Sequence, residues 1–109
     1  VSYNLTPPQI EYIDFVDIIT QYCTDISLNS NLDIKVTCNN EFPDIDVFRK
    51  IIIYRIIQEL IHGFIEDNTV AEIFIKFNVD EKNIEISLTY YNDTLKLKAI
   101  TEVATEIPL

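Results

Sequence analysis

Glycine is almost missing from this chain, with one residue, Gly63, in 109. Loops that cradle phosphate need glycine where backbone amides approach the anion closely or φ turns positive. A single glycine cannot build such a loop, which argues against a self-sufficient nucleotide enzyme. Methionine and tryptophan are absent. With a start at Val1, the missing methionine points to a piece cut from a longer protein. Bases are also few: eight against eighteen acids, for a formal charge of −10. That field repels phosphate backbones and anionic lipid, so neither nucleic acid nor direct membrane contact is expected. Basic partners, or a basic patch on a sister domain, suit it better, although acidity also serves solubility alone. Histidine occurs once, at His62, and cysteine twice, at Cys23 and Cys38. Without a CxxC pair or a histidine near either cysteine, a zinc site is not supported, and no metal is expected. The count permits a disulfide. Yet Cys23 falls on an apolar helical stripe and Cys38 continues a strand's apolar set, which predicts reduced core thiols and a cytoplasmic setting. The longest purely aliphatic run is Ile51-Ile52-Ile53, far short of the ~20 residues of a membrane span. No signal-peptide pattern opens the chain.

What remains is ample material for one core. Hydrophobic residues make up 48% of the chain, charged residues 24%, and the length fits one domain spanning 1–109. Thr6-Pro7-Pro8-Gln9 reads as a helix start: threonine caps, proline suits the first turn, and Gln9 completes a capping box. The stripe through Phe15, Ile18, Ile19, Tyr22, Cys23 and Ile26 extends that helix from about Pro8 to Ser27, with Asn29-Ser30-Asn31 as its stop. Leu32, Ile34, Val36 and Cys38 alternate with polar residues, as in a half-buried strand. A second helix starts near Asp44 or Asp46, either of which can cap it, and ends at Glu66-Asp67-Asn68. Its apolar face is wide, which predicts the central buried helix. Two strands follow as a hairpin, with Ala71, Ile73, Ile75 and Phe77 on one and Ile84, Ile86, Leu88 and Tyr90 on the other, turning at Asp80-Glu81-Lys82-Asn83. Residues 95–109 read as two more strands with a turn near Thr101 or Glu102. The expected fold is α+β: a two-layer sandwich with two main helices on one face of a mixed sheet of about five strands.

The second helix carries the most specific motif, Tyr54-Arg55-Ile56-Ile57-Gln58-Glu59-Leu60, followed by Ile61-His62-Gly63. It resembles the N-box helix of the ATP-binding domain of bacterial sensor histidine kinases. Ser2-Tyr3-Asn4-Leu5-Thr6-Pro7-Pro8 is similar to the stretch leading into that domain, and Thr105-Glu106-Ile107-Pro108-Leu109 to its closing strand. The resemblance runs in order along nearly the whole chain. It implies a minimal histidine-kinase ATPase-like fold, ATP and Mg²⁺ as cofactors, and a place in two-component phosphorelay signalling. Implied partners are the dimerisation and phosphoacceptor helices of a parent kinase, a response regulator or a sister subunit. Pairing of the chain with itself is left open.

The departures bear on activity. Glu59 stands where the family has its acid. One turn on, where the family holds an asparagine that ligates Mg²⁺, this chain has Gly63, which offers no side-chain oxygen. His62 replaces a neighbouring asparagine, and Asp67 stands where a basic or amide residue is usual. The family's adenine motif, Asp-x-Gly-x-Gly, is met here by Tyr90-Tyr91-Asn92-Asp93-Thr94-Leu95-Lys96. Asn92 or Asp93 fills the aspartate place, and no glycine follows. Sixteen residues after Asp93 leave no room for the family's long lid and second glycine turn. The resemblance therefore implies a vestigial nucleotide set of Arg55, Glu59, His62, Gly63, Asp67, Asn92 and Asp93, with Glu59 the one retained catalytic position and no cofactor expected.

Each residue also has a plainer reading. Glu59 is a solvated helix acid that pairs with Arg55 at i−4. His62 is a partly packed helical histidine rather than a phosphoacceptor. Gly63 is kept because something packs closely against it, and Tyr90 and Tyr91 are strand packing. Three readings follow: a degenerate ATPase-like domain that works by protein interaction, a truncated but active protein-histidine kinase domain, or an unrelated α+β interaction module.

Overall fold

The computed structural model describes residues 8–68, 70–81, 83–90 and 93–100. The expected capping box begins at Thr6, outside these residues. The chain does not run as one helix from Pro8. Pro8–Glu11 forms a single 3-10 turn, and α1 spans Phe15–Asn29. The break lies at Asp14, whose carboxylate accepts a hydrogen bond from the Asp17 amide at 3.2 Å. An aspartate that caps an exposed amide stabilises a helix start by about 1 kcal/mol, enough to relocate this one past Ile13. The helix stops at Ser30, whose hydroxyl donates to the Ile26 carbonyl at 2.7 Å and accepts from the Leu32 amide at 3.2 Å.

Strand β1 is Asp33–Cys38. Helix α2, Val47–Asp67, takes Asp46 rather than Asp44 as its cap. The Asp46 carboxylate accepts from the Arg49 amide at 3.3 Å. Asp44 instead lies 3.9 Å from the ammonium of the buried Lys50. Asn68 ends α2 in the left-handed conformation, φ 57°, with its amide donating to the Phe64 carbonyl. Asparagine tolerates that conformation, so the chain needs no glycine there. Strands β2, Glu72–Val79, and β3, Asn83–Tyr90, form the expected hairpin. Strand β4, Asp93–Ile100, starts two residues earlier than the Leu95 read from the sequence. Among the described residues, the sheet has four strands in the order β1-β2-β3-β4. β1 runs parallel to β2, and β3 is antiparallel to both neighbours. The last expected strand falls outside the described residues.

Register gathers Ile34, Val36 and Cys38 with Ile73, Ile75, Phe77 and Val79, and with Ile84, Ile86 and Leu88, on one face of the sheet. Both helices pack on that face. From α1, Phe15 meets Phe77 edge-on at 6.5 Å and Phe42 at 5.1 Å. From α2, Phe64 lies 4.7 Å from the Tyr90 ring. Ile19, Ile57, Ile61, Phe77 and Ile84 are fully enclosed, and burial of each such side chain contributes roughly 1.5–3 kcal/mol. The other face is less covered among the described residues, although Ser87 on it is buried. Lys35 and Lys76 lie exposed on it, and Phe74 is 44% exposed.

Candidate functional site

Helix α2 collects most of the residues that the N-box resemblance singles out. Positions 48, 52, 55, 59 and 63 recur every three or four residues and so share one side of the helix. They carry Phe48, Ile52, Arg55, Glu59 and Gly63, all exposed. The opposite side buries Ile53, Tyr54, Ile57, Gln58 and Ile61 against the core. Arg55 and Glu59, one turn apart, form no ion pair with each other among the described residues. His62 is half-buried, with Nε2 3.6 Å from the Glu66 carboxylate, a pair that is ionic when the imidazole is protonated. Asp67 is the last residue of the helix and is exposed.

Gly63 overturns one expectation. A Cβ built on it meets nothing within 4 Å. Among the described residues, nothing packs closely against this glycine. It nevertheless costs the helix about 1 kcal/mol relative to alanine, so its small size brings no packing advantage inside this domain.

Asp93 opens β4 in register with Tyr90, and Asn92 lies outside the described residues. Tyr90 sits beneath Phe64. The end of α2 and the start of β4 are thus at the same end of the sandwich. The space between them is chemically different from a nucleotide site. A groove of about 200 Å³ runs between α2 and β3–β4, lined by Ile56, Ile57, Leu60, Ile86, Leu88, Leu95 and Lys96. Six of its seven walls are aliphatic, and ligand pockets usually enclose about 300–1,000 Å³. No carboxylate or amide side chain lines it to read an adenine edge or hold a magnesium ion. Among the described residues, no group of three or more His, Cys, Asp or Glu side chains comes together as a metal site. Among the described residues, the only polar side chain that this groove offers a nucleotide is Lys96.

A second groove was not foreseen in the sequence. It lies between α1 and α2, holds about 440 Å³, and is lined by Ile13, Asp17, Ile18, Gln21, Tyr22, Asp25 and Tyr54. Its floor is aromatic, with the Tyr22 and Tyr54 rings meeting edge-on at 5.6 Å. Its rim is acidic, and Gln21 donates to Asp25 at 3.0 Å. The 3-10 turn and the Asp14 cap create it by setting Ile13 ahead of α1, and periodicity reads straight through that break. Burial pushes the Tyr22 phenol up to about 12, helped by Tyr54, Cys23 and Glu59. Tyr54 is also raised, chiefly by burial, against a lowering hydrogen bond from Gln58. Burial pushes the neighbouring Cys23 thiol up to about 12. A thiol held neutral is a poor nucleophile. Both cysteines are free, as expected of core thiols. No helix among the described residues is long and apolar enough to cross a membrane. This cleft offers apolar contact and two carboxylates, but no acid–base pair or activated nucleophile.

The sequence matches no protein-family model, and comparison with curated proteins and with solved structures likewise finds no match.

Proposed function

We propose that this chain is a degenerate ATPase-like domain of a two-component sensor histidine kinase, acting in signal transduction by protein interaction in the cytoplasm. The observation that carries the reading is the state of the N-box-like helix. Tyr54 to Leu60 keep the family's run, while the place of its metal-binding asparagine is Gly63, exposed and without a side chain. The aliphatic groove beside it supports the same reading, because six of its seven walls have no polar group for a nucleotide. Glu59 then has no phosphoryl transfer to assist and serves as a surface acid. The partners that suit the role are the helices of a parent kinase, a response regulator or a sister subunit.

Thermal melting with and without Mg²⁺-ATP tests the proposal. Ligand at 100 times its dissociation constant adds about 2.7 kcal/mol to a folded domain that binds it. The degenerate reading expects an unchanged midpoint. A clear upward shift that saturates with nucleotide would replace it with the reading of a truncated, active kinase domain.

A further inference from the structure

The outer side of α2 joins four features that a solvated helix face does not need. Phe48 is 72% exposed and Ile52 53%. Arg55 and Glu59 lie between them and Gly63 without pairing to each other. Gly63 leaves a notch that none of the described residues fills. Large apolar side chains in solvent mark interaction surfaces when they are contiguous, and an exposed helix glycine is retained at a cost.

We infer that this face is a self-complementary docking surface, on which α2 of a second copy packs antiparallel about a twofold axis that crosses the outer face midway between Arg55 and Glu59, at the height of Ile57. In a twofold contact the same patch meets itself, so each residue needs its complement on the same helix. Arg55 lies two residues before Ile57 and Glu59 two after it. The axis therefore sets Arg55 of each copy opposite Glu59 of the other, and the ion pair missing within the helix forms twice between helices. Ile52 lies five residues before Ile57 and Gly63 six after it. Each Ile52 thus reaches the partner's Gly63 notch, where the missing Cβ lets the backbones come close. The net charge of −10 per copy opposes association at long range. Salt screens that repulsion beyond about 10 Å at 0.1 M, while the short Arg–Glu contacts are screened less. One helix against one helix is a small contact, so dissociation in the range of roughly 10 μM to 1 mM is expected. The inference goes beyond the proposed function and does not require it.

Sedimentation equilibrium of the full chain across that range is the test. The expected results are a dimer for the wild type and at least tenfold weaker association for Ile52→Glu. Gly63→Leu fills the notch and gives a monomer whose melting temperature is unchanged or higher, because the added Cβ meets none of the described residues and leucine is the better helix former. Arg55→Glu and Glu59→Arg each weaken the dimer about tenfold, and the double exchange restores it. A wild type that stays monomeric throughout overturns the proposal. So does a dimer that tolerates Gly63→Leu, or one in which the double charge exchange fails to rescue the single changes.

Discussion

Helices α1 and α2 do the same work inward and differ outward. Each lays an isoleucine-rich stripe on the sheet. Away from the core, α1 presents Asp17, Thr20, Gln21, Thr24 and Asp25, with Leu28 the one large apolar side chain exposed, near the helix end. α2 presents Phe48, Ile52 and Gly63 around one Arg–Glu couple. An exposed phenylalanine or isoleucine gains nothing on folding, and α2 sets two of them on the side that carries its glycine, where α1 exposes Leu28 alone. On the proposed reading, the contrast places the interaction surface on α2, the helix that resembles the N-box.

The comparison can be broken most severely from within. Phe77→Ala removes the ring that meets both Phe15 and Phe42 and should cost about 3–5 kcal/mol by urea denaturation. A cost below 1 kcal/mol would mean that the helices do not share this core. Alkaline titration probes the α1 side. The folded pKa of Cys23 lies near 12, above the ~8.5 of an exposed thiol. The folded state therefore holds the proton more tightly. The stabilisation is complete below pH ~8.5 and is lost as pH rises toward 12. Tyr22, also raised to about 12, adds to the loss above its ordinary value of 10.0. Cys23→Ala should flatten the decline between pH 8.5 and 10, and an unchanged profile there would remove Cys23 from the account.

Smaller effects sharpen the outward difference. Asp14→Ala and Asp46→Ala remove the caps of α1 and α2, and each should cost about 1 kcal/mol, lowering the midpoint by several degrees. Loss of the Asp14 cap should also perturb the Tyr22–Tyr54 groove, readable in tyrosine fluorescence, whereas loss of the Asp46 cap should leave that signal alone. Gly63→Ala should stabilise the domain by roughly 0.5–1 kcal/mol, because alanine is the better helix former and its methyl group meets open space. Destabilisation on this change would place an unseen neighbour against the glycine.

Most of the fold was legible in the sequence because its signals are local. Alternation marked β1, β2 and β3, and Asp46 and Asn68 bracket α2 within the span that composition suggested. The first helix was misread because apolar spacing continues through Tyr12 and Ile13, and only the competition between a proline start and the Asp14 cap decides where the backbone turns helical. Strand β4 was entered late because Asp93 and Thr94 lack a strand-former's apolar pattern, and its register against Tyr90 is a tertiary property. The candidate residues on α2 could be named from one motif, since helical spacing places them together without long-range information. The α1–α2 groove could not, because Tyr54 is distant in sequence from its other walls, Ile13 to Asp25, and no local pattern encodes their meeting.

One measurement separates ligand chemistry from contact on α2. Amide resonances of the isotopically labelled chain are followed first as protein concentration rises, then as Mg²⁺-ATP is added. The account predicts concentration-dependent shifts centred on residues 48, 52, 55, 59 and 63, and none from the nucleotide. Shifts with Mg²⁺-ATP at Glu59, His62 and Gly63, with none on concentrating the protein, would contradict it.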